Sequence, residues 1–306
     1  MRRMISARRL LRVAVPLIWL FLAVPVAWTQ TTQEAAWCEG KDSATADQRI
    51  QGCTAAINSG RIQGKTLGLA YRLRAYAELY LKRNEMDEAL RDYDAAIKLN
   101  PTDPSSYYGR ADIYKVKAFQ ASGPQRKQYI DFAIRDFSEN IRLSAKPNPL
   151  DYINRSNAYS LDGDNDRAAK DLGQALRLDP SDKKEALVNR CRIYADMGRW
   201  QEALADCNNS LARKDQPGQD PDRGTDSLRA RGYVYLKMHK YGESLADFEA
   251  VLAYPKLRDY ARAEALAGRG IAKLKTGDIN GGNADLEIAK QLRPDVTHDI
   301  MRNASP

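Results

Sequence analysis

One pattern recurs six times along this chain, and it constrains the fold more than any other feature. A small residue stands in the middle of a helical stretch at Ala77, Ala111, Ser156, Cys191, Gly232 and Gly270. Three residues later comes Tyr80, Tyr114, Tyr159, Tyr194 or Tyr235, with Lys273 departing from the column. A second stretch opens its apolar face with Ala89, Ala133, Ala168, Ala203, Ser244 or Gly282. Four residues on, it carries Tyr93, Phe137, Leu172, Cys207, Phe248 or Leu286. Each unit then runs into a proline, at positions 101, 147, 180, 217, 255 and 294.

The columns have a common physical reading. Residues spaced i, i+4, i+7 share one face of a helix. Small residues let two antiparallel helices approach closely, and the aromatic or leucine side chain fills the space beside the contact. Proline cannot continue a helix and stops each unit. Gly163, Gly198 and Gly277 punctuate the turns between paired helices.

These columns resemble the tetratricopeptide repeat, whose unit is ~34 residues. The resemblance spans roughly residues 65–300 and implies an all-α, right-handed superhelical solenoid of about six helix-turn-helix repeats, over 65–303. Two insertions interrupt it. About ten extra residues against the ~34-residue period lie near 115–132. There Ser122-Gly123-Pro124 marks a break and a new helix start, and the extra length is expected to extend both helices by over a turn. A second stretch, 215–224, is rich in Gly, Pro and Asp and reads as a loop. Before the repeats, residues 29–64 read as an N-terminal cap. In it Asp47 to Gly60 resembles a lone second helix with Ile50, Cys53, Ala56 and Ile57 on one face, shielding the first apolar surface. The tail from Val296 to Asn303 suggests a partial capping helix.

The family's concave groove is made mostly by first helices. Carried over, the resemblance gives Tyr71, Arg74, Glu78, Lys82, Tyr108, Asp112, Asn157, Arg192, Arg229, Tyr233 and Lys237 as groove lining that would hold a protein or peptide partner. Acids and bases are mixed there, so the groove does not select one sign of charge. Some relatives clamp a chaperone's carboxylate tail with Lys, Asn and Arg at set places. That arrangement is not repeated here, which argues against a cytosolic co-chaperone.

The net charge of +8 is concentrated at one end, because the first 30 residues hold five Arg and no acid. Without them the chain carries 43 bases against 40 acids, so a nucleic-acid role loses its main support. Arg2, Arg3, Arg8, Arg9 and Arg12 precede an apolar run from Val13 to Trp28 that Pro16 and Pro25 interrupt. This reads as a signal segment, 1–28, cut after Ala27 or Thr29. The alternative is an uncleaved anchor through 13–28, although a bilayer span takes ~20 apolar residues.

Four cysteines follow as two local pairs. Their expected bridges are Cys38–Cys53 and Cys191–Cys207, in an oxidising compartment. Structural zinc wants four ligands at knuckle spacings that neither pair has, and only His239 and His298 could supplement them.

Charge is also kept at fixed register. Asp92, Asp136, Asp171, Asp206, Asp247 and Asp285 recur in the second helices, and Arg110, Arg155, Arg190, Arg231 and Arg269 in five of the six first helices. The spacing predicts bridged pairs Arg110–Asp136, Arg155–Asp171, Arg190–Asp206, Arg231–Asp247 and Arg269–Asp285, a structural ladder of forked guanidinium–carboxylate bonds.

Catalytic chemistry finds no anchor in the sequence. Two His cannot build a triad or a metal site, and no glycine-rich phosphate loop follows a strand. Asp162-Gly163-Asp164-Asn165-Asp166 lacks the sixth Gly and twelfth Glu of a calcium loop and reads as a solvated turn. No metal, cofactor or nucleic acid is expected. The leading expectation is a non-enzymatic adaptor in the periplasm or envelope. A membrane-anchored assembly factor is the alternative, and an enzyme with a site near the extended second repeat the reading from another class.

Overall fold

A computed structural model describes residues 32–82, 86–179, 184–212 and 221–296. Fourteen α-helices and one π-helical turn make up the described residues, with no strand among them. The helices pair as antiparallel hairpins in chain order. The first hairpin is α1 (Thr32–Cys38) with α2 (Ala46–Asn58), and the second is α3 (Gly64–Tyr76) with α4 (Met86–Leu99). Then come α5 (Pro104–Gln120) with α6 (Gly123–Leu143), α7 (Pro149–Asp162) with α8 (Asn165–Leu178), and α9 (Lys184–Asp196) with α10 (Trp200–Leu211). The array closes with α11 (Pro221–Lys237) and α12 (Tyr241–Leu252), then α13 (Asp259–Thr276) and α14 (Ile279–Leu292). Each hairpin packs on the next, as in a solenoid whose neighbours share one continuous core.

Local chemistry sets the helix ends. Thr45 and Asn148 form capping boxes with Gln48 and Asp151, and Asp164 and Asp278 accept backbone N–H groups at the starts of α8 and α14. Gly163 and Gly277 end α7 and α13 in the left-handed conformation, at φ 81° and 94°. The same turn in the fifth repeat has His239 at φ 58°, a conformation that suits glycine better.

The small-residue columns pack as their spacing predicts. A Cβ on Gly270 would come within 2.9 Å of the Gly282 carbonyl oxygen, and one on Gly282 within 2.8 Å of the Gly270 oxygen, so these two backbones touch. Ala133 and Phe137 lie buried against Ala111 and Ala158, and Phe248 against Ala261 and Ala265.

Three expectations need correction and a fourth needs refining. The small residue of the first repeat that meets Ala89 and Tyr93 is Ala75, two residues before Ala77. The first hairpin carries two extra residues between its Arg and Asp, and a π-helical turn, Ala77–Lys82, follows Ala75. The cap helix is not alone, because α1 packs antiparallel on α2. In the extended repeat both helices lengthen, but unequally. Helix α5 runs 10 residues past Arg110, where α7, α9, α11 and α13 run 6 or 7 past their Arg, a gain of about one turn. Helix α6 starts 13 residues before Asp136, where the other repeats' second helices start 6 before their Asp, a gain of about two turns. Finally, helix α11 starts at Pro221, so the end of the 215–224 stretch is helical rather than loop; a first turn tolerates proline. Residues 213–220, the segment 1–28 and the tail beyond Val296 lie outside the described residues.

Both disulfides form. Cys38–Cys53 fastens α1 to α2 across a Cα separation of 4.6 Å, and Cys191–Cys207 joins α9 to α10 at 5.6 Å. All four cysteines are buried.

Candidate functional site: the inner face of the first helices

Successive first helices touch one another, α3 with α5, α9 with α11 and α11 with α13, and so line one inner wall. The Arg column fixes which residues face it. Each Arg points into its own hairpin, where its Nε and Nη2 grip both oxygens of the Asp. Arg110–Asp136 has distances of 2.6 and 2.9 Å, and Arg155–Asp171 2.7 and 2.8 Å. Arg190–Asp206 has 2.6 and 2.8 Å, Arg231–Asp247 2.9 and 2.7 Å, and Arg269–Asp285 2.7 Å twice.

A sixth rung completes the ladder. Arg74 grips Asp92 at 2.6 and 2.8 Å. It therefore belongs to the hairpin interior rather than to the groove lining, and sequence reasoning missed it because the extra residues of the first repeat put it out of register. Glu78 is buried 4.0 Å from Arg74 and takes the place that Tyr114, Tyr159, Tyr194 and Tyr235 hold beside their own Arg. Tyr71 packs under the Arg74 guanidinium, 5.5 Å from ring centre to Cζ. The Lys82 side chain lies outside the described residues.

The remaining groove residues largely staple one first helix to the next. The Tyr80 hydroxyl donates to Asp112 at 3.0 Å, and Lys115 reaches Asp112 at 2.6 Å and Asn154 at 3.1 Å. Asn154 donates to the Tyr108 hydroxyl at 2.9 Å, and Asn189 to Asn157 at 3.5 Å. Lys237 lies over the Tyr233 ring and bonds Asp196 at 2.8 Å. Arg229 is buried between Asp226 and Glu264 and stacks on Tyr260. Arg192 differs from all of these: it makes no hydrogen bond or ion pair with any described residue. Tyr76, Asn154, Asn189 and Asp196 were not singled out from sequence. Their places follow from the ladder once the first repeat is in register: Tyr76 stands two residues after Arg74, Asn154 and Asn189 one residue before Arg155 and Arg190, and Asp196 six after Arg190.

Near the N-terminal end the wall opens into a cleft of about 490 Å³ walled by Tyr76, Tyr80, Tyr93 and Tyr108. Burial, with Asp112 nearby, pushes the Tyr80 and Tyr108 hydroxyls above their ordinary range, so both stay neutral hydrogen-bonding groups.

Paired antiparallel helices, repeated side by side with small–aromatic contacts, define a helical-repeat solenoid. Two family profiles match within it: "TPR repeat" over residues 77–116 and "Tetratricopeptide repeat" over 155–219. The chain is a tetratricopeptide-repeat protein. No curated protein matches its sequence. Among solved structures it is similar to a tetratricopeptide-repeat protein from Parabacteroides merdae, with 16% identity, a TM-score of 0.61 and coverage of 85% of this chain and 92% of that one. It is similar also to PilW, a type IV pilus biogenesis factor, with 14% identity, a TM-score of 0.57 and coverage of 77% and 98%. A third is NprR in complex with its cognate peptide NprX, with 14% identity, a TM-score of 0.57 and coverage of 89% and 81%. At these identities the likeness is one of fold.

Proposed function

We propose that this protein is an exported, non-enzymatic scaffold that holds a protein partner along its inner face in the periplasm or cell envelope. The repeat fold supports a protein-interaction role in general. The observation that carries the particular reading is Arg192, a cation on the inner wall without a bonding partner among the described residues, one turn along α9 from Asn189 of the Asn157–Asn189 amide pair. A guanidinium left free amid stapled neighbours is a ready hydrogen-bond donor for a partner, and Arg is among the residues that dominate interface energies. Two buried disulfides favour an oxidising compartment over the reducing cytoplasm. NprR offers a precedent for a peptide held by a related fold.

The test is affinity capture from envelope extracts with the wild type and with Arg192→Ala. A partner held by the wild type and lost with the variant supports the reading. A partner retained equally by both, or recovered only with cytosolic extract, overturns it. The mature N-terminus separates release from anchoring: a start near residue 28 or 30 means release, and an intact segment 1–28 means the membrane-anchored alternative.

A further inference from the structure

On the opposite, outer face the ladder has a third prong. In four of the six rungs the Nη1 that the Arg does not spend on its own Asp reaches back to the second helix of the preceding hairpin. Arg74 finds Thr54 at 3.1 Å, Arg110 finds Asp94 at 2.7 Å, Arg155 finds Ser138 at 3.2 Å and Arg231 finds Asn208 at 2.8 Å. In the three later of these rungs the acceptor stands two residues after the preceding hairpin's Asp. For Arg269 that place holds Glu249, whose charge acts on it.

For Arg190 the place holds Gly173. A Cβ built there would meet only Arg190 Nη1 at 3.8 Å and Arg177 Nη1 at 3.9 Å. Two guanidinium corners thus converge on a point where the other rungs have an acceptor. The opening is a cleft of about 640 Å³ between α8, α9 and α10, bordered by Leu176, Leu187, Asn209 and Ala212. Glycine inside a helix is disfavoured against Ala by about 1 kcal/mol, and the geometry would accommodate a side chain without a clash. Neither packing nor backbone conformation explains Gly173. What its missing side chain does is leave the acceptor position open.

We infer that Gly173, Arg177 and Arg190 form a carboxylate-binding site on the outer face. The carboxylate enters where the third-prong acceptor stands in other rungs and accepts from Nη1 of both arginines, with the Asn209 amide at the border. Asp206 already neutralises Arg190 through Nε and Nη2, so the added charge is that of Arg177, which suits one carboxylate. The source is an acidic side chain of a docked protein or a small free carboxylate.

The experiment follows arginine side-chain signals of the full-length, 15N-arginine-labelled protein during titration with glutarate, a blocked Gly-Glu-Gly-Glu-Gly peptide and inorganic phosphate at constant ionic strength. Glutarate is expected to shift the Arg190 and Arg177 signals saturably. Gly173→Asn, which supplies the acceptor that Asn208 provides to Arg231, is expected to weaken binding at least about tenfold, or about 1.4 kcal/mol. Gly173→Ala, which adds volume without an acceptor, reports the effect of filling alone and is expected to retain more binding than Gly173→Asn. Tighter binding of the peptide identifies a protein partner, and equal binding a small carboxylate; both support the site. No saturable shift with glutarate or peptide, saturation by phosphate alone, or unchanged binding in Gly173→Asn at wild-type helicity would overturn it. Failure here leaves the inner-face reading untouched, because Arg192 lies on the other wall.

Discussion

Arg155 donates Nε and Nη2 to the two carboxylate oxygens of Asp171 at 2.7 and 2.8 Å, and spends Nη1 on Ser138 of the preceding hairpin at 3.2 Å. One side chain thereby fixes both the pairing of its own helices and the stacking of one repeat on the next. A buried pair is not by itself a source of stability, because desolvation offsets much of the attraction. Its contribution is register: a helix rotated by one position would strand Asp171 without its guanidinium.

Breaking the pair from one side leaves that stranded charge. Arg155→Ala is expected to destabilise by about 3 kcal/mol, whereas Arg155→Met combined with Asp171→Leu costs far less. Urea unfolding of the single and double variants checks this. Equal losses in both would refute the account.

Acid should loosen the last repeat. Burial raises the Asp285 carboxyl pKa, but hydrogen bonds from Arg269 and Lys273 outweigh it and hold the value below the ordinary range. A folded-state pKa below the unfolded one adds stability that is fully present above about pH 4. That stability is lost as pH falls through the folded value. Stability measured from about pH 5 down to pH 3 should fall less steeply in Asp285→Asn than in the wild type.

His239 occupies a left-handed position that glycine fills in three sister turns, Gly163, Gly198 and Gly277. His239→Gly is expected to raise stability by up to about 1 kcal/mol, the order of the left-handed penalty. The His239 Nδ1 contact with the Tyr241 hydroxyl at 2.8 Å, which the change removes, works against the gain. A lower melting temperature in the variant would mean that this contact outweighs backbone strain.

The cysteines make a chemical prediction. Thiol counting on denatured, non-reduced protein should find none free. Cys191→Ala with Cys207→Ala should cost about 3 kcal/mol for a loop of this length, on the chain-entropy account. Four free thiols would remove both bridges and, with them, the compartment argument.

The sequence alone determined the hairpin repeat, five of the six Arg–Asp pairs and the cysteine partners. Each of these depends on residues at a fixed spacing on facing helices, and spacing is what a sequence displays. Residues 77–82 mark its limit. Whether two extra residues become a loop or a π-helical turn depends on what packs around them, so Arg74 counted as groove lining until the three-dimensional register made it the sixth rung. The fate of groove side chains was likewise decided by tertiary structure. Asp112 and Lys237 carry the same formal charges free or stapled, and only the neighbouring helix determines that Tyr80 and Asp196 bind them while Arg192 has no bond among the described residues. Gly173 is the sharpest case. In the sequence it is one more glycine in a helix; its meaning arises because Arg190, from the next repeat, arrives beside it with one donor still unspent.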